Sequence, residues 1–224
     1  MAGPAETRPA DPGVAHGAPV RMLLIGCGAL AREMVELIRL NRWGHITLAC
    51  LPAQLHNTPD KIPELVRAKI REGRSRYERI FVLYGDCGTG GRLDAVLAEE
   101  NAERIPGPHC YQFYAGTAAF EAMHEAEPGT FYLTDYLVRH FDRLIIAGLG
   151  LDRFPQLLPE YFGNYRRLVY LAQTEDPALG EQAAAAAKRL GLEYEYRFTG
   201  YGELASYMAD AANAQEGGKG TWPI

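Results

Sequence analysis

From residue 20 onward, apolar runs of strand length alternate with stretches whose apolar residues recur at helical spacing. That alternation restricts the chain to βαβ units and a parallel sheet. Val20 to Ile25 is apolar apart from one Arg, as expected for a strand covered on both faces. Leu30, Met34, Leu37, Ile38 and Leu40 follow near the helical period and predict a helix over 29–41. A second strand reads from Ile46 to Leu51 and stops at Pro52. Asn57-Thr58 then caps a helix over 59–76, with Pro59 near its start. Arg79 to Tyr84 is a third strand, followed by the turn Gly85–Gly91 and a helix over 92–101. A short strand at 103–105, a helix over 116–125 and an extended stretch at 129–133 come next. Thr134-Asp135 caps a helix carrying Tyr136, Leu137, His140 and Phe141. Arg167–Ala172 and Glu193–Phe198 read as strands around the Ala-rich helix 177–190, and a helix over 201–212 closes the domain. The expected fold is one α/β domain over 20–212 with a doubly wound, mostly parallel, Rossmann-like sheet. Its length of 224 residues suits a single domain. Residues 1–19, rich in Ala, Pro and Gly, read as a disordered leader, and 213–224 as a flexible tail.

In such a sheet the loops after the carboxyl ends of the strands share one edge, where ligands bind. Cys27 follows strand one inside Gly26-Cys27-Gly28, and Cys87 follows strand three inside Gly85-Asp86-Cys87-Gly88. If those strands are neighbours, thiols separated by 60 residues become close in space. Cys110 follows the short fourth strand and His56 follows strand two, so four metal-ligand residue types map to four loops on one edge. Three thiolates and an imidazole suit tetrahedral zinc, and three thiolates with an open position suit catalytic zinc or iron. No CxxC pair supplies the short chelate spacing of the commonest zinc motifs. Cysteines after strands also serve as small buried hydrophobes. Cys50, inside Leu48-Ala49-Cys50-Leu51, fits that packing role and is expected in the core. His109 is a possible ligand or a solvated loop residue. His16 and His45 have no chemical neighbours, and His124 and His140 lie on predicted helices.

Gly26, Gly28, Gly85, Gly88, Gly90 and Gly91 permit tight turns and expose backbone N–H groups that stabilise anionic ligands. The first turn, Gly26-x-Gly28-x-x-Ala31, is close to a dinucleotide fingerprint, but the second strand ends Ala49-Cys50-Leu51-Pro52 without the acidic residue that would hold a ribose. The turn Gly85–Gly91 has the glycine content of a phosphate cradle without its Lys-Ser/Thr ending, and an anion could dock at the helix beginning near Arg92. Glu33, in the first turn of helix one, is a candidate general acid or base or a support for a metal ligand. It equally suits a carboxylate complementing the helix dipole. Asp135 is expected as a helix cap.

The segments Cys27 to Glu33, Leu51-Pro52 with Leu55-His56-Asn57, Tyr84 to Gly91, Cys110-Tyr111 and Gly129 to Asp135 together resemble the prokaryotic domain-of-unknown-function family 1638. The resemblance runs from about Arg21 to Met208. It implies a link to one-carbon metabolism, in the company of corrinoid-dependent methyltransferases for methylated amines. A net charge of −5 leaves no basic footprint for nucleic acid, and no apolar run approaches the ~20 residues of a membrane span. The leader has no apolar core of signal-peptide type, which points to the cytoplasm, where four cysteines stay reduced. The expectation is a cytoplasmic zinc- or iron-binding protein with Cys27, His56, Cys87 and Cys110 as ligands. It would be an enzyme or accessory factor in corrinoid-linked methyl transfer, acting on a small molecule or on a methyltransferase partner. The rivals are a nucleotide- or anion-binding enzyme built on the glycine turns, and a non-enzymatic partner of a methyltransferase.

Overall fold

The computed structural model describes residues 20–213, so the expected leader, and the expected tail beyond Asn213, lie outside the described residues. Seven strands form two all-parallel sheets instead of one continuous sheet. The first sheet has the order β2-β1-β3-β4, with β1 at Met22–Cys27, β2 at Ile46–Leu51, β3 at Arg79–Leu83 and β4 at Glu103–Arg104. The second has the order β5-β6-β7, at Thr130–Thr134, Arg167–Ala172 and Glu193–Phe198. The first sheet stops at β4 for a local reason. Its two residues run into Pro106-Gly107-Pro108, whose prolines have no N–H to continue a ladder.

Both sheets are covered on both faces, which explains why their strands read as continuous apolar runs. In β1, Met22 and Leu24 pack beneath α1 (Ala31–Leu40) and α9 (Leu204–Asn213), while Leu23 and Ile25 pack under α2 (Ile62–Gly73) and α3 (Arg92–Glu99). In β6, Leu168 and Tyr170 face α8 (Pro177–Leu190), while Val169 and Leu171 face α5 (Thr117–Ala126). The molecule is thus a single α/β domain of Rossmann-like type, with α9 returning from the second sheet to the first. Arg79 Nη1 donates to the carbonyl of Ala211 on that helix at 2.9 Å.

Three local differences from the sequence reading bear on the site. Cys27 is the last residue of β1, two residues beyond the expected strand end, and accepts the Ala29 N–H on its sulfur at 3.5 Å. Cys110 opens a six-residue helix, α4 (Cys110–Ala115), where a loop was expected. Cys50 is exposed instead of buried in the core: β2 is the outer strand of its sheet, so one side of it has no covering layer. After α6 (Asp135–Arg139) the chain makes a π-helical turn over Asp142–Ile146, in which Ala147 N–H donates to the carbonyl of Asp142 at 2.7 Å.

Candidate functional site

The strand order passes from β1 outward to β2 and then back across β1 to β3, so the winding reverses between β1 and β3. At such a reversal the flanking loops part and leave a crevice at the carboxyl ends of the strands. β1 and β3 pair in parallel, with Gly26 opposite Leu83, so Cys27 and the Tyr84–Cys87 turn emerge side by side. The loop before α4 is tied to that turn. Asp86 N–H donates to Gly107 O at 3.0 Å and Cys87 N–H to Pro108 O at 2.8 Å.

Cys27, Cys87 and Cys110 therefore line one cavity together with His56, although 83 positions separate the first thiol from the last. The enclosed space is about 40 Å³, room for one or two water-sized species. Tyr84, Tyr111 and Tyr114 complete the polar part of the wall; the rest is apolar, and no carboxylate, Lys or Arg lines it. Burial holds all three thiols neutral. It pushes Cys87 up to about 12, with Cys27 nearby adding to the shift. It raises Cys110 well above the ordinary thiol range, again helped by Cys87 and then Cys27. Cys27 rises too, against the Ala29 N–H, which favours the thiolate. His56 is exposed on its outer side while its ring borders the cavity. Desolvation, and then His109, lower its pKa toward the neutral imidazole. For a metal, the donor set fits zinc in kind. Among the described residues, however, no group of three or more His, Cys, Asp or Glu side chains is arranged to hold an ion.

The glycines serve mainly to bring these loops together. A Cβ on Gly28 would stand 3.0 Å from the carbonyl oxygen of Leu51, and one on Gly85 would stand 3.0 Å from both Gly107 O and His109 N. Gly26 lies within β1 against the Met34 side chain. Gly88, Gly90 and Gly91 all have left-handed φ. The N–H groups of Gly90 and Gly91 are occupied by the chain's own Asp86, whose carboxylate accepts them at 3.1 and 2.9 Å and the Thr89 hydroxyl at 2.7 Å. These N–H groups and the Thr89 hydroxyl lower the Asp86 pKa against its desolvation. The turn thus carries its own anion where a phosphate cradle would leave its donors free.

Glu33 does not line the thiol cavity. It is buried under the first turn of α1 with its Oε2 unpartnered, and desolvation raises its pKa, with Asp135 adding to the shift. It stands behind the wall residue Tyr114, whose hydroxyl faces it. Asp135 is the first residue of α6, while Thr134 is its cap. The Asp135 carboxylate accepts Tyr170 OH at 2.8 Å, Gln173 N–H at 2.9 Å, and the N–H and hydroxyl of Thr174. His109 is half-buried, with Nδ1 unpartnered, and lies beside Tyr111 outside the cavity wall. The tyrosines are what sequence reasoning passed over. Tyr84 precedes Gly85 and Tyr111 follows Cys110, so each adjoins a glycine or thiol already singled out. The Tyr84 hydroxyl is buried, has no hydrogen-bond partner and sits near the Cys27 thiol. An aromatic residue with a polar tip at a strand end was the available signal.

No helix among the described residues is long and apolar enough to cross a membrane. No curated protein and no solved structure matches the chain. The match that exists is to a family model covering residues 50–208, which takes in His56, Cys87 and Cys110 and begins after Cys27. Since that span is well over half of the sequence, the chain belongs to the family described as "Protein of unknown function (DUF1638)".

Proposed function

We propose that the chain is a cytoplasmic metal-binding protein in which Cys27, Cys87, Cys110 and His56 take up one zinc ion. The observation that carries this reading is the convergence of three thiols and an imidazole, from four separate segments, on one small cavity without a carboxylate, Lys or Arg. Packing alone gives no reason for three sulfurs to meet at a strand-order reversal, one of them at a backbone angle that glycine would adopt more easily. In the metal-free chain the thiols are protonated, so uptake means that protons leave and the side chains turn inward on the ion. Zinc supplies Lewis acidity to whatever shares its site. A role in corrinoid-linked methyl transfer, as an enzyme or as an accessory to a methyltransferase, rests on the family resemblance alone.

Elemental analysis of protein purified without chelator tests the reading, on the wild type beside Cys87→Ser, Cys110→Ser and Cys50→Ser. The expected result is about one zinc per chain in the wild type and in Cys50→Ser, and strong loss in the other two. Absence of zinc and iron from wild type, with all four thiols freely titratable, overturns it.

A further inference from the structure

Beside the thiol cavity lies a second, wider one of about 240 Å³ that opens to the surface. The two share His56, Tyr111, Ala53 and Leu137 as a common wall. The outer wall of the second is built from Phe131, Tyr161, Phe162 and Tyr165. Phe131, Phe162 and Tyr165 hold one another in place, with ring centroids 5.2 to 5.7 Å apart. The π-helical turn supplies Leu144 and Ile145 to the lining. Such turns occur rarely and frequently at functional sites. Asn57, from the loop after β2, donates to the carbonyl of Leu144 at 3.3 Å and fastens this turn to the first sheet.

We infer that this chamber binds a small, uncharged, planar aromatic molecule against its ring wall, delivering one edge of it to His56 and Tyr111 at the mouth of the thiol cavity. The size admits one ring or a fused pair, since 240 Å³ falls just under the ~300–1,000 Å³ usual for drug-sized ligands. The lining decides the charge. It has no Lys or Arg to receive an anion and no carboxylate to receive a cation, and His56 is held neutral. A cation would have only ring faces to offset its lost hydration. An uncharged ring loses little on leaving water and gains the stacked and edge contacts. The inference stands without the zinc ion.

Indole is the probe, titrated into the full-length protein and followed by calorimetry and saturation-transfer NMR. Benzoate and phenyltrimethylammonium serve as charged counterparts. Saturable indole binding is expected, at least tenfold tighter than either charged probe. Tyr161→Ala, at an exposed ring, weakens it about tenfold or more, and Leu149→Trp, which fills the chamber, abolishes it. Chelator-treated protein and Cys87→Ser bind indole as the wild type does, which separates this result from that of the metal analysis. No saturable indole binding, equal binding of a charged probe, or indifference to both chamber variants overturns the inference.

Discussion

Cys87 carries the most physical information of any residue in the site. Its φ of +49° is in the left-handed region, beside Gly88 at +82°. Non-glycine residues rarely adopt that region, and where they do the strain is held by surrounding structure, commonly at functional sites. The Cys87 N–H is fixed by Pro108 O, and its side chain is 7% exposed. A thiol pushed up from 9.0 to about 12 by burial makes a signed prediction. Between those values the unfolded chain has released a proton that the folded chain retains, so stability falls as pH rises. Below the lower value the contribution is fully present. Metal-free protein should therefore lose stability progressively above about pH 9, and Cys87→Ala should flatten that decline. Urea midpoints in chelator from pH 7 to 10.5 check this; a wild-type curve no steeper than that of the variant contradicts it.

At the scale of elements, the site depends on how closely the loops after β3 and β4 approach. Gly85 is the point of contact, since the atoms facing its missing Cβ are backbone atoms that cannot rotate away. Gly85→Ala should destabilise the fold by about 1–3 kcal/mol through overpacking. It should also push out the loop that positions Cys110. The check is a urea titration together with the rate at which a thiol reagent modifies Cys110, which should rise. Unchanged stability and unchanged reactivity would mean that the two loops are not coupled. The second sheet uses a different tie at the equivalent place. Asp135 after β5 accepts four donors from the end of β6 and the turn beyond it, which fixes the start of α6 and so Leu137, in the wall of both cavities. Two elements escaped the periodicity argument. α4 is six residues of Cys, Tyr, Gln, Phe, Tyr and Ala, too short to show a helical repeat. The π-helical turn breaks the 3.6-residue spacing on which that argument depends.

At the scale of the molecule, two sheets with separate cores behave as one domain because α9 crosses back. Leu204, Met208 and Ala211 pack with Met22, Leu24 and Phe81 of the first sheet, although α9 follows β7 of the second. Met208, 1% exposed, is the central contact. Met208→Ala should cost about 2–5 kcal/mol by loss of buried volume. It should lower the protection of both sheets together, since the polypeptide joins them at both ends. Hydrogen exchange followed by mass spectrometry, with peptides from β1 and from β6, reads this directly. Loss of protection confined to β1 and β3 would show two independently unfolding halves.

The sequence by itself determined the α/β class, the parallel strands and much of the element map. β2, β6, β7 and α8 have the limits that the apolar pattern predicts, because strands covered on both faces and amphipathic helices must write their burial into the order of residues. It also set out which loops carry Cys27, His56, Cys87 and Cys110. Only the tertiary structure decided that β1 and β3 are neighbours, that the sheet divides after β4, and that Cys50 lies on an outer strand and is exposed. Strand order and sheet edges are long-range properties, and a local pattern of burial is the same wherever the strand is inserted. The aromatic chamber arises in the same way. Phe131, Phe162 and Tyr165 are ordinary hydrophobic positions along the chain, and they enclose a cavity only because the π-helical turn and the loop after β2 meet across the two sheets.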